Sequence, residues 1–224
     1  MIRKVLIANR GEIAVRVMRS CREMGIRSVA VFSEADRTAR HVLYADEAAL
    51  IGPAASKDSY LDIEKIIRAA KQHKADAIHP GYGFLSENAD FARRCKEEGI
   101  IFIGPSAETM EAMGDKISAR KRMIAAGVPV VPGTQQPLQD AGEARRICRE
   151  IGFPVMLKAS MGGGGKGMRL IHKEEEVEEA YNAARSESLS SFGDDTVYLE
   201  KFVEEPHHIE FQILGDNYGN VIHL

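Results

Sequence analysis

Hydrophobic residues in the first half of the chain form short continuous runs, separated by stretches in which they recur with helical spacing. Five of these runs have the length of buried strands, and they lie at 5–8, 29–32, 48–51, 76–79 and 100–103. The spacing between them predicts amphipathic helices at 12–24, 61–71 and 89–98. This alternation of strand and helix indicates an α/β domain with a parallel sheet that is covered by helices on both faces.

A different pattern begins near residue 106. Two helices are predicted at 106–113 and 115–126, with Asp115 as N-cap of the second, and a connector rich in Val, Pro and Gly follows at 127–133. After the connector the pattern is mixed α+β, with predicted helices at 141–151 and 173–187 and strands at 154–159, 168–171 and 197–202. The connector is therefore the expected boundary between two domains.

The last residues have the pattern of a hairpin. A strand pattern begins at 209, turn residues lie at 216–219, and a second strand begins at Val221. The chain stops about four residues into that strand, and a domain rarely ends there. We therefore expect the chain to be a truncated, N-terminal part of a longer protein.

Composition and charge exclude several classes of protein. The chain has 224 residues, 44% of them hydrophobic and 28% charged, and a net charge of −3, so bulk electrostatics offer nothing to nucleic acid. No run approaches the roughly 20 apolar residues of a membrane span, and no membrane partner is expected. The three cysteines are far apart and lack metal-ligand spacing. We expect them to be reduced, as in a cytoplasmic protein.

The strongest local signal for chemistry is the segment from Lys158 to Gly167. A predicted strand ends at Lys158, and four consecutive glycines at 162–165 lead into the next strand. Backbone N–H groups of a glycine-rich loop can surround phosphate oxygens, and a lysine beside them adds positive charge. The alternative is a flexible hairpin loop with a lysine beside it by chance. A Walker A loop is excluded, because Lys166 is followed by Gly167 and a strand rather than by Ser or Thr and a helix.

Three other segments are weaker signals. The first turn, 8–13, has one glycine where a dinucleotide fingerprint needs three. The loop at 79–88 lies at the carboxyl edge of the predicted sheet and presents Tyr82 and Glu87, although turn chemistry around a buried aromatic explains it equally well. The histidine pair at 207–208 does not suit one metal ion, because adjacent strand residues point to opposite faces.

Taken together, these segments resemble the biotin carboxylases. Five motifs match that family in order and spacing, at 6–14, 79–88, 113–116, 158–167 and 208–212. The resemblance covers the whole chain. It implies a Rossmann-like (pre-ATP-grasp) parallel-sheet domain, a small α+β ATP-grasp lid and the first strands of the main ATP-grasp domain. The implied boundaries are 1–112, a helical connector at 113–130, the lid at 131–203 and the start of the last domain at 204–224.

The resemblance also implies roles for individual residues. Lys116 and Lys158 hold the ATP phosphates, Met156 and Met168 pack on adenine, and His208 approaches the ribose and phosphates. The loop that closes over the phosphates consists of Gly162, Gly163, Gly164, Gly165, Lys166 and Gly167. The edge of the adenine is met, largely through backbone groups, by Glu200, Lys201 and Val203. The loop on the biotin side carries Tyr82, Gly83 and Glu87, and the dimer face carries Arg16, Arg19 and Glu23.

The reaction implied by the resemblance is ATP-dependent carboxylation of biotin. Bicarbonate attacks the γ-phosphate of ATP, and the resulting carboxyphosphate yields CO2, which biotin captures. The implied cofactors and substrates are ATP, Mg2+ (or Mn2+), bicarbonate and biotin on a carrier protein. The implied partners are a biotin carboxyl carrier protein or domain, a carboxyltransferase component and a second copy in a homodimer.

Some questions stay open at the level of sequence. The metal-binding carboxylates and the basic residues for bicarbonate and biotin are expected after residue 224, so no catalytic or metal residue is assigned and the chain alone is expected to be inactive. Acetyl-CoA, propionyl-CoA and pyruvate carboxylases all fit. The rival functions are another ATP-grasp enzyme that ligates a carboxylate to an amine, and a non-catalytic nucleotide-binding or assembly fragment.

Overall fold

A computed structural model describes residues 2–114, 116–160, 167–207, 209–216 and 218–224, apart from the side chains of Lys116 and Phe192. The chain divides into two compact units, Met1–Ala119 and Arg120–Leu224. The division falls within the predicted helical connector at 113–130. The further separation of 131–203 from 204–224 stays a prediction.

The first unit is an alternating α/β structure, as the hydrophobic pattern predicts. Its strands are β1 Lys4–Ile7, β2 Arg27–Ser33, β3 Glu47–Gly52, β4 Ala77–His79 and β5 Ile101–Phe102. Its helices are α1 Gly11–Glu23, α2 Arg40–Tyr44, α3 Ile63–Gln72, α4 Ala89–Glu97 and α5 Ala107–Gly114. The strands form one parallel sheet in the order β3-β2-β1-β4-β5.

Alternate residues of β1 explain why this sheet is covered on both faces. Val5 and Ile7 belong to a core cluster with Met18 of α1. Leu6 lies in a separate cluster with Ile66 of α3. Successive side chains of a strand point to opposite faces, so one short apolar strand packs against a helix on each side.

Two local details of the first unit differ from the sequence predictions. Met24, predicted on the buried face of the first helix, is 72% exposed because α1 ends at Glu23 and Met24 is its C-cap. The five-residue helix α2 was not predicted, since it is too short for a periodic pattern. Its His41 is fully buried.

The second unit contains a small antiparallel sheet with helices on one face. Its elements are α6 Lys116–Ala125, which crosses the division, α7 Ala141–Ile151, β6 Val155–Ala159, β7 Met168–Ile171, α8 Val177–Phe192 and β8 Val197–Lys201. The strand order is β7-β6-β8. Val155 and Leu157 of β6 are fully buried against Cys148 of α7 and Ala184 of α8. The predicted α/β fold followed by a smaller α+β unit is thus confirmed.

A hairpin closes the chain. It consists of β9 Ile213–Gly215 and β10 Val221–His223, paired antiparallel. The strand predicted from residue 209 begins only at Ile213. Asp216 fixes the turn, because its carboxylate accepts hydrogen bonds from the backbone N–H groups of Tyr218 and Asn220 at 2.8 and 2.9 Å. In the described part of the chain, no helix is both long and apolar enough to cross a membrane.

Candidate functional site

The face of the small sheet opposite the helices carries the lysine that the sequence singles out. Burial alternates along β6: Val155, Leu157 and Ala159 are buried, whereas Met156 and Lys158 are partly exposed. Lys158 pairs in register with Met168 of β7, and Met156 pairs with Glu200 of β8. Directly paired residues share a face of the sheet, so these four side chains lie on one open face.

The open face combines apolar area with a compact charge cluster. Met168 and Leu170 of β7 are 36% and 37% exposed. The Lys158 ammonium forms an ion pair with Oε1 of Glu200. The other carboxylate oxygen of Glu200 lies 3.8 Å from the guanidinium of Arg120. Apolar side chains around a lysine and an arginine are suited to a planar, apolar group that carries anionic substituents.

Gly167 forms the end of the predicted phosphate loop. It adopts a left-handed conformation with φ 68°, and its carbonyl accepts a hydrogen bond from the N–H of Ala159 at 3.0 Å. A Cβ at this position would lie 2.7 Å from the Cβ of Ala159, so only glycine fits. Four predicted phosphate-loop glycines and the loop lysine, namely Gly162, Gly163, Gly164, Gly165 and Lys166, lie outside the described residues, as does His208.

Lys116 is described only through its backbone, at the first position of α6. Nothing is therefore assigned to its ammonium. The N-cap predicted at Asp115 also lies outside the described residues.

The structure gives the side chain of Lys201 a structural role. Its ammonium donates hydrogen bonds to the carbonyls of Gly152 and Phe153, just after α7, at 3.0 and 2.9 Å. Its backbone N–H donates to the carbonyl of Pro132 at 2.7 Å. The backbone carbonyl is then what Lys201 can offer to a ligand. Val203, two residues further along, is 48% exposed.

A second group of candidate residues lies at the carboxyl edge of the parallel sheet. Asn9 follows β1 and is almost fully buried. Its side-chain amide donates hydrogen bonds to the carbonyls of Pro80 and Tyr82, which follow β4, at 2.8 and 2.7 Å. Gly81, between those two residues, has φ 65°, and a Cβ there would lie 2.7 Å from Nδ2 of Asn9. Asn9 therefore fixes the loop that was predicted to lie at this edge.

Tyr82 and Glu12 face a cleft at this edge. The cleft has a volume of about 380 Å³ and is lined by residues 9–13 and 82–84. The Tyr82 hydroxyl donates to the Glu12 carboxylate, and this hydrogen bond raises the pKa of Tyr82. Gly83 also lines the cleft, whereas Glu87 is exposed on the surface and is not among the lining residues.

Sequence reasoning missed the residues that support this loop. Tyr60 stacks on Phe84 with ring centroids 5.0 Å apart, and its hydroxyl donates to Asp36 at 2.7 Å. Burial, together with that hydrogen bond, raises the pKa of Tyr60 to about 12. The guanidinium of Arg10 lies 5.5 Å from the Tyr60 ring and 3.2 Å from Asp36. These residues come from separate segments of the chain, and no motif links them.

The predicted dimer residues lie on the outer face of α1. Arg16, Arg19 and Glu23 are all exposed, and Arg16 donates to Ser20 at 2.7 Å. Their role in a dimer stays a prediction. Within the described ranges, no group of three or more His, Cys, Asp or Glu side chains could hold a metal ion.

Two known families match consecutive parts of the chain. Residues 1–110 match the family described as "Biotin carboxylase, N-terminal domain". Residues 115–224 match the family described as "Carbamoyl-phosphate synthase L chain, ATP binding domain". The two matches meet close to the division between the compact units.

Individual proteins match over the full chain. It is 56% identical to the biotin carboxylase of Allochromatium vinosum, of which it covers 50%, and 56% identical to the mitochondrial pyruvate carboxylase of Mus musculus, of which it covers 19%. The chain therefore spans half or less of the length of these curated relatives. Two solved structures also match all of it. The biotin carboxylase–beta-gamma-ATP complex from Campylobacter jejuni has a TM-score of 0.92 and 52% identity, with 50% of that chain covered.

The second structure is the biotin carboxylase domain dimer of the 2-oxoglutarate carboxylase from Hydrogenobacter thermophilus. It was solved with MgADP, ADP and bicarbonate, and it matches with a TM-score of 0.88 and 55% identity over 49% of its length.

Proposed function

Because the chain belongs to the biotin carboxylase family, we propose that it supplies the nucleotide-binding part of an enzyme that carboxylates biotin with ATP and bicarbonate. The proposed enzyme subunit is about twice this length, since the chain covers 46 to 50% of the single-subunit relatives. The observation that carries the proposal is the open face of the small sheet, where Lys158 lies among Met156, Met168 and Leu170.

In this proposal Lys158 neutralises the phosphates of ATP. The support is its position at the end of β6, immediately before the segment that contains the glycine run. Phosphoryl transfer needs positioned cations and backbone donors more than it needs a nucleophilic side chain. Gly162 to Gly167 provide the N–H groups, Lys166 a further positive charge, and Lys116 and His208 complete the contacts with phosphates and ribose.

The adenine lies against the apolar part of the open face. Met156 and Met168 are unbranched and polarisable, and such side chains adapt well to an aromatic ring. The exposed edge of β8 meets the polar edge of the base, through the backbone of Glu200, the carbonyl of Lys201 and the backbone of Val203. The Lys201 ammonium takes no part, because the carbonyls after α7 occupy it.

The proposed reaction proceeds in two steps. A bicarbonate oxygen attacks the γ-phosphorus of ATP, ADP leaves, and carboxyphosphate forms. Carboxyphosphate then yields CO2 and phosphate, and N1 of biotin loses its proton and attacks the CO2. The ADP, magnesium and bicarbonate in the Hydrogenobacter thermophilus structure support this choice of substrates. Within its described residues the chain offers no carboxylate cluster for Mg2+ or Mn2+, so none of those residues is proposed as a ligand of the metal.

Biotin, carried on a carrier protein or domain, is proposed to approach from the side of Tyr82, Gly83 and Glu87. The cleft between the loops after β1 and β4 supports this position for Tyr82 and Gly83. A carboxyltransferase component then uses the carboxybiotin. The exposed residues Arg16 and Arg19, with Glu23, form part of a homodimer interface, and the dimeric Hydrogenobacter thermophilus domain supports such an assembly. The three buried free cysteines suit a reducing compartment such as the cytoplasm.

The binding of ATP to the full-length subunit tests the nucleotide site. Lys158→Gln is expected to weaken ATP binding by about 10- to 100-fold, because it removes one charge-assisted contact that contributes roughly 1.5–3 kcal/mol. Lys173→Gln, on a lysine that is 66% exposed in the same unit, is the matched control and should bind ATP like the parent. Equal affinities of Lys158→Gln and Lys173→Gln, measured by calorimetry, would contradict the assignment.

A further inference from the structure

Arg120 is a buried cation that the proposed reaction does not yet use. Its side chain is only 11% exposed. Its Nε is buried and has no hydrogen-bond partner in the described part of the chain. Buried donors are nearly always paired in native proteins, and an unpaired one calls for an explanation.

The Glu200 carboxylate lies close to Arg120 without binding it. A terminal nitrogen of Arg120 lies 3.8 Å from Oε2 of Glu200, which is too long for a hydrogen bond. Oε1 of the same carboxylate is bound to the ammonium of Lys158. Glu200 is 18% exposed and Lys158 is 24% exposed, so solvent screens this cluster only in part. One carboxylate thus lies between two cations and is fully engaged by Lys158 alone.

Lys158 cannot remain on Glu200 and also neutralise a phosphate group. When it turns to the nucleotide, it leaves a partly buried carboxylate close to several negative oxygens. An uncompensated charge of this kind is strongly unfavourable, and like charges at short range oppose each other. The nucleotide site therefore needs a second partner for Glu200 at the moment when ATP binds.

We propose that Arg120 is a positioning residue that takes over Glu200 when Lys158 moves to the ATP phosphates. The proposal rests on the nucleotide site described above and adds a residue to it. No bond is broken and no proton moves: the carboxylate changes one cation for another. The spare Nε–H and the adjacent terminal nitrogen form the two-pronged donor that binds both oxygens of a carboxylate side by side. A small approach from 3.8 Å completes that pair.

This arrangement predicts energetic coupling between positions 120 and 200. In the full-length subunit, Arg120→Met is expected to weaken ATP binding about 10- to 100-fold, because Glu200 then retains Lys158. Glu200→Gln is expected to bind ATP at least as tightly as the parent, since Lys158 is no longer held. In the double variant the loss caused by Arg120→Met should shrink to less than about threefold. Lys cannot form the two-pronged pair, so Arg120→Lys should fall between Arg120→Met and the parent.

The cycle of single and double variants separates the possible outcomes. If Arg120→Met weakens ATP binding equally with Glu or Gln at position 200, Arg120 contacts the nucleotide itself and the inference is wrong. If it has no effect while Lys158→Gln does, the nucleotide site stands and the inference alone fails. If the parent does not bind ATP, the proposed function fails and the inference fails with it. Thermal unfolding identifies any variant that is misfolded, and Arg120→Lys replaces Arg120→Met in the cycle if the latter does not fold.

Discussion

Asn9 joins two loops that lie about 70 residues apart in the chain. Its amide binds the carbonyls of Pro80 and Tyr82, so the loop after β4 is held against the loop after β1. Both contacts are buried or partly buried, where leaving a polar group unpaired costs about 1–3 kcal/mol. A single side chain thus sets the position of Tyr82 beside the cleft.

Two glycines of this loop allow a matched test of that packing. Gly81 and Gly83 have nearly the same φ, 65° and 66°, but a Cβ would collide with Asn9 only at Gly81. Both alanine variants bear the cost of the left-handed conformation, roughly 1 kcal/mol. We expect Gly81→Ala to cost about 1–3 kcal/mol more in free energy of unfolding, measured by urea denaturation followed by circular dichroism. Equal losses in the two variants would show that Asn9 does not fix the loop.

Glu47 is the residue with the clearest dependence on pH. Hydrogen bonds from Lys4 and His73 outweigh a small effect of burial and hold the pKa of its carboxylate at about 2, compared with an ordinary value of 4.5. Because the folded pKa is depressed, the carboxylate stabilises the fold above pH 4.5, and this stabilisation is lost as the pH falls towards 2.

Glu47→Gln tests this directly. Since one pKa unit corresponds to about 1.36 kcal/mol, and solvent reduces the effect for a side chain that is not fully buried, the variant should lose about 1–3 kcal/mol of stability at about pH 7. At about pH 2 to 2.5 the gap between variant and parent should be much smaller. The exposed Glu34→Gln is the control. A gap that is the same at both pH values would mean that the ionised carboxylate contributes nothing.

The lid sheet depends on a connector that runs beside β8. The N–H of Lys201 donates to Pro132, and the N–H of Thr134 donates to Leu199 at 2.8 Å. Gly133 lies between them in a β-bridge with Glu200. A Cβ on Gly133 would lie 2.4 Å from the carbonyl oxygen of Leu199, and backbone on both sides leaves it no room to move away. The connector therefore helps to fix the strand that carries Glu200.

Gly133→Ala is expected to disturb this edge of the sheet. The clash should reduce the stability of the second unit by about 1–3 kcal/mol or more, as overpacking does elsewhere. It should also raise amide hydrogen exchange in 197–201. Gly215→Ala is the matched control, because a Cβ there meets only ordinary contacts at 3.9 Å. Normal exchange protection in β8 of Gly133→Ala would contradict the assigned packing.

Elements could be predicted from the sequence where a clear period was present. The alternation of short apolar runs with helical spacing predicted five parallel strands because each strand is covered by helices on both faces. The helix α2 escaped, since five residues carry less than two turns of periodicity. The strand expected at 209 begins at Ile213, because alternation of residue types alone does not fix where pairing starts.

For the molecule as a whole, the positions of Lys158, Met156 and Met168 on one face follow from strand alternation, which is visible in the sequence. The structural role of Lys201 could not be predicted, because it depends on carbonyls 48 and 49 residues away in the chain. The same holds for Arg120 and Glu200, which approach each other only after folding. Long-range polar contacts leave no periodic signal, so this part of the site could be found only in the folded structure.

The division into two units locates the proposed chemistry. The first unit carries the cleft beside Tyr82, and the second carries the open face with Lys158. The 224 residues alone are expected to show negligible turnover of free biotin, because no described part of them supplies a metal-binding cluster. Activity is therefore expected only in the full-length subunit.

The most direct test of the central claim is ATP hydrolysis by the full-length subunit, with and without bicarbonate and biotin. We expect hydrolysis to require both, and to fall by about 10² to 10³ in Lys158→Gln and in Lys116→Gln, which corresponds to ~2.7–4 kcal/mol of transition-state stabilisation. The exposed Lys173→Gln should retain the parent rate. Hydrolysis that is indifferent to biotin and responds instead to an amine would contradict the account, and would make the protein an ATP-grasp enzyme with another acceptor.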